Sequence, residues 1–119
     1  NAHPAILPKY QGLDCVGWSI LNNDPVGATI HFIDSGIDSG PIILQDSIDY
    51  SDCNSLLEVR IRTMKLCANL MLKSIIGLKF GTLHPIQQDS SLSEKHREMT
   101  ENEVKLVEDK LMKKFKNKN

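Results

Sequence analysis

Two strand-forming runs, ATIHFID at 28–34 and PIILQDSIDY at 41–50, are separated only by SGIDSG at 35–40, and one long amphipathic stretch follows them. The first run is rich in β-formers and alternates, with Ile30 and Phe32 on one face and Thr29, His31 and Ile33 on the other. Pro41 opens the second run, a position where its missing N–H does no harm. The glycines and Asp38 between the runs read as a turn, so the pair is expected as an antiparallel hairpin. A two-stranded ribbon is marginal by itself. Whatever the chain folds into must therefore be completed around this hairpin by its other elements.

Ser51 or Asp52 is expected to cap the long stretch, with Ser55 and Glu58 in capping-box spacing. Leu56, Val59, Met64, Cys67, Leu70, Met71 and Ile75 supply its apolar face, and Arg60, Arg62, Lys65 and Lys73 mark solvent. Gly81 is the expected stop. That face is expected to pack on the sheet, with a homodimer contact as the alternative. Residues 1–12 read as irregular because of Pro4, Pro8 and Gly12. Residues 13–23 predict a short helix with Asp14 as N-cap and Val16, Ile20 and Leu21 on one side. Residues 82–98 look irregular and polar. A last helix is expected from Thr100, with Glu103 in capping-box spacing and Val104, Val107, Leu111 and Phe115 as its stripe. The closing KKFKNKN reads as a solvated, frayed tail. Two strands and one strong helix make a thin core for an α/β layer structure. More of the sheet is expected upstream, or a partner that stabilises the piece.

The 119 residues suffice for one core. With 14 basic and 15 acidic residues there is no global field to draw in nucleic acid or an anionic membrane. No apolar run approaches the ~20 residues needed to span a bilayer. Cys15, Cys53 and Cys67 are odd in number and lack CxxC spacing, so they read as buried thiols in a reducing cytoplasm. His84 and His96 read as exposed loop histidines, and no metal site is expected.

Chemistry-bearing residues stand at the start of the chain and in and beside the hairpin turn. Asn1 and His3 are two apart, so in extended backbone both side chains project from one face. An amide and an imidazole side by side suit a developing oxyanion, although such a pair is more often ordinary loop hydrogen bonding. Asp38, beside two glycines, reads alone as a turn-former. His31 reads alone as a structural histidine.

Their order and separation carry more. NAHPAILPKYQG, then Trp18, then VGATIHFIDSGIDSGPIILQ resembles the formyltransferase family that uses 10-formyltetrahydrofolate. Asn1, His3, Pro4, Leu7 and Pro8 match its first motif, with Ala5 where Ser is common and Ile6 where Leu is common. Gly27, Thr29, His31, Asp38, Gly40, Pro41 and Gln45 match the second. The long helix and Gln87 fit more loosely.

The resemblance implies an α/β chain: the C-terminal portion of a Rossmann-like formyltransferase fold, a mixed sheet with flanking helices whose upstream half is missing. Residues 1–98 would be the C-terminal part of the catalytic domain and 99–119 a terminal helix with its basic tail. It further implies catalytic roles for Asn1, His3 and Asp38, a supporting role for His31, and contacts from Ser35, Gly36, Ile37 and Asp38 to the pterin ring of the cosubstrate. The acceptor expected is a primary amine on the amino sugar of a sugar nucleotide. The alternatives are glycinamide ribonucleotide, methionyl-tRNA, or an inactive fragment that serves as a binding module. By itself the 119-residue chain is expected to be inactive.

Overall fold

The structure, a computed structural model, describes residues 1–118. Its elements run β1 (Ala2–His3), β2 (Tyr10–Gly12), α1 (Cys15–Leu21), β3 (Gly27–His31), β4 (Ile42–Ser47), α2 (Leu56–Lys79), a 3-10 turn (Ser90–Leu92), β5 (Glu94–His96) and α3 (Glu101–Lys118). The expected hairpin is present: β3 and β4 pair antiparallel, with Ile30 opposite Leu44 and a bulge before His31 meets Ile42. Residues 1–12 are not wholly irregular, because β1 adds antiparallel to the other edge of β3 and gives the order β1-β3-β4. A second, parallel pair joins β2 to β5. The 82–98 region read as structureless thus supplies a strand.

Thr29 and Gln45 explain why the prolines of residues 4–8 do not detach the first loop. The buried Thr29 hydroxyl donates to the Ala5 carbonyl at 2.7 Å and accepts from Leu7 N at 3.2 Å. Gln45 Nε2 donates to Leu7 O at 2.8 Å and to Thr29 Oγ1 at 2.9 Å. Side chains on two neighbouring strands thereby satisfy a loop that cannot satisfy itself.

Helix α1 forms where expected and Asp14 holds its N-cap position, with its carbonyl accepting from Trp18 N at 3.1 Å, but the side chain makes no capping bond. Its carboxylate instead receives Arg60 at 3.2 Å and Met99 N at 2.8 Å, tying α1 to α2 and to the approach to α3. Helix α2 starts at Leu56, later than a cap at Ser51 or Asp52 would place it, since Ser55 Oγ accepts from Glu58 N. It ends as expected at Gly81, whose φ of 68° allows Thr82 N to reach Gly77 O at 2.8 Å.

The buried face of α2 differs from the expected one. Leu56, Val59, Thr63, Cys67, Leu70, Ser74 and Gly77 face inward, whereas Met64 and Ile75 are 60% and 58% exposed. The inward face mixes Leu56, Val59 and Leu70 with the smaller Thr63, Ser74 and Gly77, while several other large apolar side chains point outward. One core joins Val16 and Ile20 of α1, Leu56 and Val59 of α2, and Val107 and Leu111 of α3; a second lies under Ala28 and Ile30 of β3.

Thr100 and Glu103 form the expected capping box, and Arg97 grips the same carboxylate at 2.6 and 2.9 Å. The arginine and the capped backbone together hold the Glu103 carboxyl at about 2. The basic tail is helical rather than frayed as far as Lys118, and Asn119 lies outside the described residues. No helix among the described residues is long and apolar enough to cross a membrane.

Candidate active site

Three side chains from three segments meet at the open end of the β1-β3-β4 sheet. His3 closes β1, His31 closes β3, and Asp38 stands in the turn that returns to β4. Asp38 Oδ1 lies 3.6 Å from His3 Nδ1 and 3.9 Å from His31 Nε2. Both imidazoles are buried and the carboxylate nearly so, which strengthens each charge's influence on the others.

The far nitrogens fix the rings. His3 Nε2 bonds the Tyr10 carbonyl at 2.7 Å and His31 Nδ1 bonds the Phe32 carbonyl at 2.9 Å. A carbonyl only accepts, so each of these nitrogens carries its hydrogen, and His3 Nδ1 and His31 Nε2 are left facing the carboxylate. Burial pulls the His3 pKa below its ordinary value, while the Tyr10 carbonyl and the Asp38 charge oppose that pull.

Asp38 itself is held in an unusual backbone conformation, with φ of 54°. Gly12 N donates to Asp38 Oδ2 at 3.1 Å, and Gln88 Nε2 donates to the Asp38 and Gly40 carbonyls at 2.8 and 2.7 Å. Gly40 is the residue that fits, since a Cβ there would stand 1.7 Å from Phe32 O. Gln11, Gly12 and Gln88 escaped the sequence reading. Gln88 gave no signal because its segment looked like polar loop, and Gly12 stood out only as a breaker.

The other candidates fall as follows. Asn1 continues the β1 ladder, exchanging backbone bonds with His31 at 2.7 and 3.0 Å, but it is exposed. Among the described residues its side chain makes no hydrogen bond to His3, His31 or Asp38. Ser35, Gly36 and Ile37 lie on the exposed rim of the turn, which Asp34 braces by accepting from Gly36 N at 2.9 Å and Ser39 Oγ at 2.7 Å. His96 is not an exposed loop residue; it sits in β5, stacked on Tyr10 at 4.8 Å. Among the described residues no group of His, Cys, Asp and Glu is arranged to hold a metal ion.

An antiparallel hairpin backed by a long helix, with two histidines converging on a turn carboxylate, makes a buried cluster of titratable groups on an α/β scaffold. The formyl transferase family model matches residues 1–75, and the chain belongs to that family. The methionyl-tRNA formyltransferase of Solibacter usitatus is 36% identical over 92 residues, covering 76% of this chain and 30% of that protein. The formyltransferase PseJ of Anoxybacillus kamchatkensis, solved with UDP-4,6-dideoxy-4-formamido-L-AltNAc and tetrahydrofolate, superposes with a TM-score of 0.76 at 29% identity. That match covers 97% of this chain and 62% of PseJ. An N-formyltransferase of Helicobacter canadensis, solved with folinic acid and dTDP-3-aminofucose, gives 0.70 at 26% identity over 97% of this chain and 46% of its own. The chain therefore spans about a third of the curated relatives' length, and its antiparallel sheet, separate parallel strand pair and flanking helices are part of a Rossmann-like formyltransferase domain.

Proposed function

We propose that the protein carrying this chain transfers a formyl group from 10-formyltetrahydrofolate to the amine of a sugar nucleotide's amino sugar. The observation that carries the reading is the convergence of His3 and His31 on Asp38 Oδ1 at 3.6 and 3.9 Å. The residues present fit the folate: the turn at 34–38 offers backbone hydrogen-bonding groups from Ser35, Gly36 and Ile37, and the Ile37 side chain is 56% exposed beside them. When bound, 10-formyltetrahydrofolate supplies the formyl carbon.

Asp38 takes a proton from the amine as its nitrogen bonds to that carbon. Asn1 and His3 Nδ1, when protonated, present N–H groups to the oxygen that receives the carbonyl electron pair. Asp38 then returns its proton to the departing nitrogen as the old C–N bond breaks. His31, anchored on Phe32 O through Nδ1, steadies the carboxylate charge when its Nε2 also carries a proton. On this reading residues 1–98 are the C-terminal part of the catalytic domain and 99–119 a terminal helix. The free, buried Cys15, Cys53 and Cys67 support a cytoplasmic setting.

The sugar acceptor draws support from the ligands of PseJ and the Helicobacter canadensis enzyme, and from the near-balanced charge of the chain. Methionyl-tRNA is the second reading, favoured by the curated relative at 36% identity. The full-length protein is incubated with 10-formyltetrahydrofolate and either a UDP- or dTDP-linked amino sugar or methionyl-tRNA, and products are read by mass. Formylation of the sugar nucleotide is expected. Formylation of the tRNA alone selects the second reading, and transfer to neither sinks both.

A further inference from the structure

Asp38 is a non-glycine residue at φ 54°, a conformation that persists only where the surroundings over-determine it. The turn's own bonds do not reach it: Asp34 braces Gly36 and Ser39, leaving the Asp38 and Gly40 carbonyls without a local donor. Both are taken by one carboxamide, Gln88 Nε2, at 2.8 and 2.7 Å. Gln11 Nε2 makes a longer approach to Asp38 O, at 3.5 Å. Gln88 is placed in turn by Ile86, which exchanges backbone bonds of 2.8 Å in both directions with Ile42 of β4. Its Oε1 is buried and has no hydrogen-bond partner among the described residues.

We propose that Gln88 is a positioning residue: by bonding both carbonyls that bracket the Asp38–Gly40 turn, it aims the Asp38 carboxylate at His3 and His31. This rests on the catalytic reading of Asp38 above. Gln88 does not touch the reacting atoms, and its effect is transmitted through the backbone it holds. A misplacement of about an ångström at a reacting group can lower a rate about a hundredfold.

The test is made in the full-length protein with Gln88→Met, which keeps the length and removes the amide, and Gln88→Asn, which withdraws the amide by one methylene. For Gln88→Met, kcat is expected to fall about 10- to 100-fold with KM for both substrates changed less than about threefold. The NMR titration midpoint of His3 is expected to move down, because the carboxylate that favours its protonated form has turned away. A lower melting temperature with kcat and the His3 midpoint both unchanged overturns the proposal and leaves Gln88 a structural brace. If Gln88→Met does not fold, Gln88→Asn decides by the same two readouts, with smaller shifts expected. Asp38→Asn is measured in parallel: an unchanged rate there defeats the catalytic reading, while the His3 midpoint in the Gln88 variants still reports whether Gln88 aims the carboxylate.

Discussion

His3 Nδ1 and Asp38 Oδ1 stand 3.6 Å apart at the end of a sheet, the histidine from the edge strand and the carboxylate from a turn, neither adjacent in sequence. The separation is that of an ion pair rather than of a direct hydrogen bond, so each group feels the other's charge while both remain able to address a third molecule. Asp38→Asn keeps the shape and removes that charge. Formyl transfer by the full-length protein is expected to fall about 10²- to 10⁴-fold, the usual range for a general acid-base group. The His3 titration midpoint is expected to fall with it. A variant of undiminished rate would remove Asp38 from the mechanism.

The same burial sets a pH dependence of stability. The folded-state pKa of His3 lies below the 6.5 of an unfolded histidine, with desolvation as the largest cause. Between those two values the unfolded chain binds a proton that the folded chain does not, so stability rises with pH across this window. Acidification from neutrality through 6.5 should therefore lower the melting temperature, until the depressed pKa has been passed. His3→Gln retains a donor for Tyr10 O and has no titration. Its melting temperature should change less over the same range, as differential scanning calorimetry at stepped pH would read; a profile parallel to the parent's excludes His3 as the source.

How much of this was legible beforehand differs from element to element. The hairpin, the Thr100–Glu103 box and the Gly81 stop are local events, written in strand periodicity, capping spacing and a positive-φ glycine, and they stand as read. His3, His31 and Asp38 were marked by motif, but no local rule says that they meet; that follows from β1 pairing with β3 across the fold. Strands β1, β2 and β5 were missed because two or three residues carry no periodicity, and their partners lie far along the chain. Gln88 was missed for the same reason, since an amide's meaning lies in which carbonyls it faces.

Helix α2 shows where pattern misleads, and offers a direct comparison. The apolar residues around it are plentiful enough to suggest several faces, and the fold selects the one on which Cys67 and Leu70 meet Ala28 and Ile30 of β3, with Thr63, Ser74 and Gly77 buried on the same face. Leu56 is 2% exposed and Leu72 is 61% exposed. Leu56→Ala is expected to lower the unfolding free energy of this chain by about 2–5 kcal/mol, from lost transfer energy and the cavity left behind. Leu72→Ala should change it by no more than about 0.5 kcal/mol. Urea titration of the two variants is the check. An equal cost at both positions means that the outer stripe of α2 is covered as well.

Gly12 joins the fold to the site through a single atom. Its φ is 101°, a Cβ there would stand 2.3 Å from the His96 carbonyl, and its N–H donates to Asp38 Oδ2 at 3.1 Å. Gly81 provides the control, because its φ of 68° is also positive but nothing lies within 4 Å of the added carbon. Gly81→Ala should cost about 1 kcal/mol, from backbone strain alone. Gly12→Ala carries the same strain and also forces β2 away from β5, so a larger loss is expected, about 2–4 kcal/mol in total. It should also move the amide that holds the Asp38 carboxylate, lowering the His3 midpoint, whereas Gly81→Ala leaves that midpoint alone. Equal destabilisation by the two variants, with no movement at His3, would show that Gly12 serves the turn and not the carboxylate.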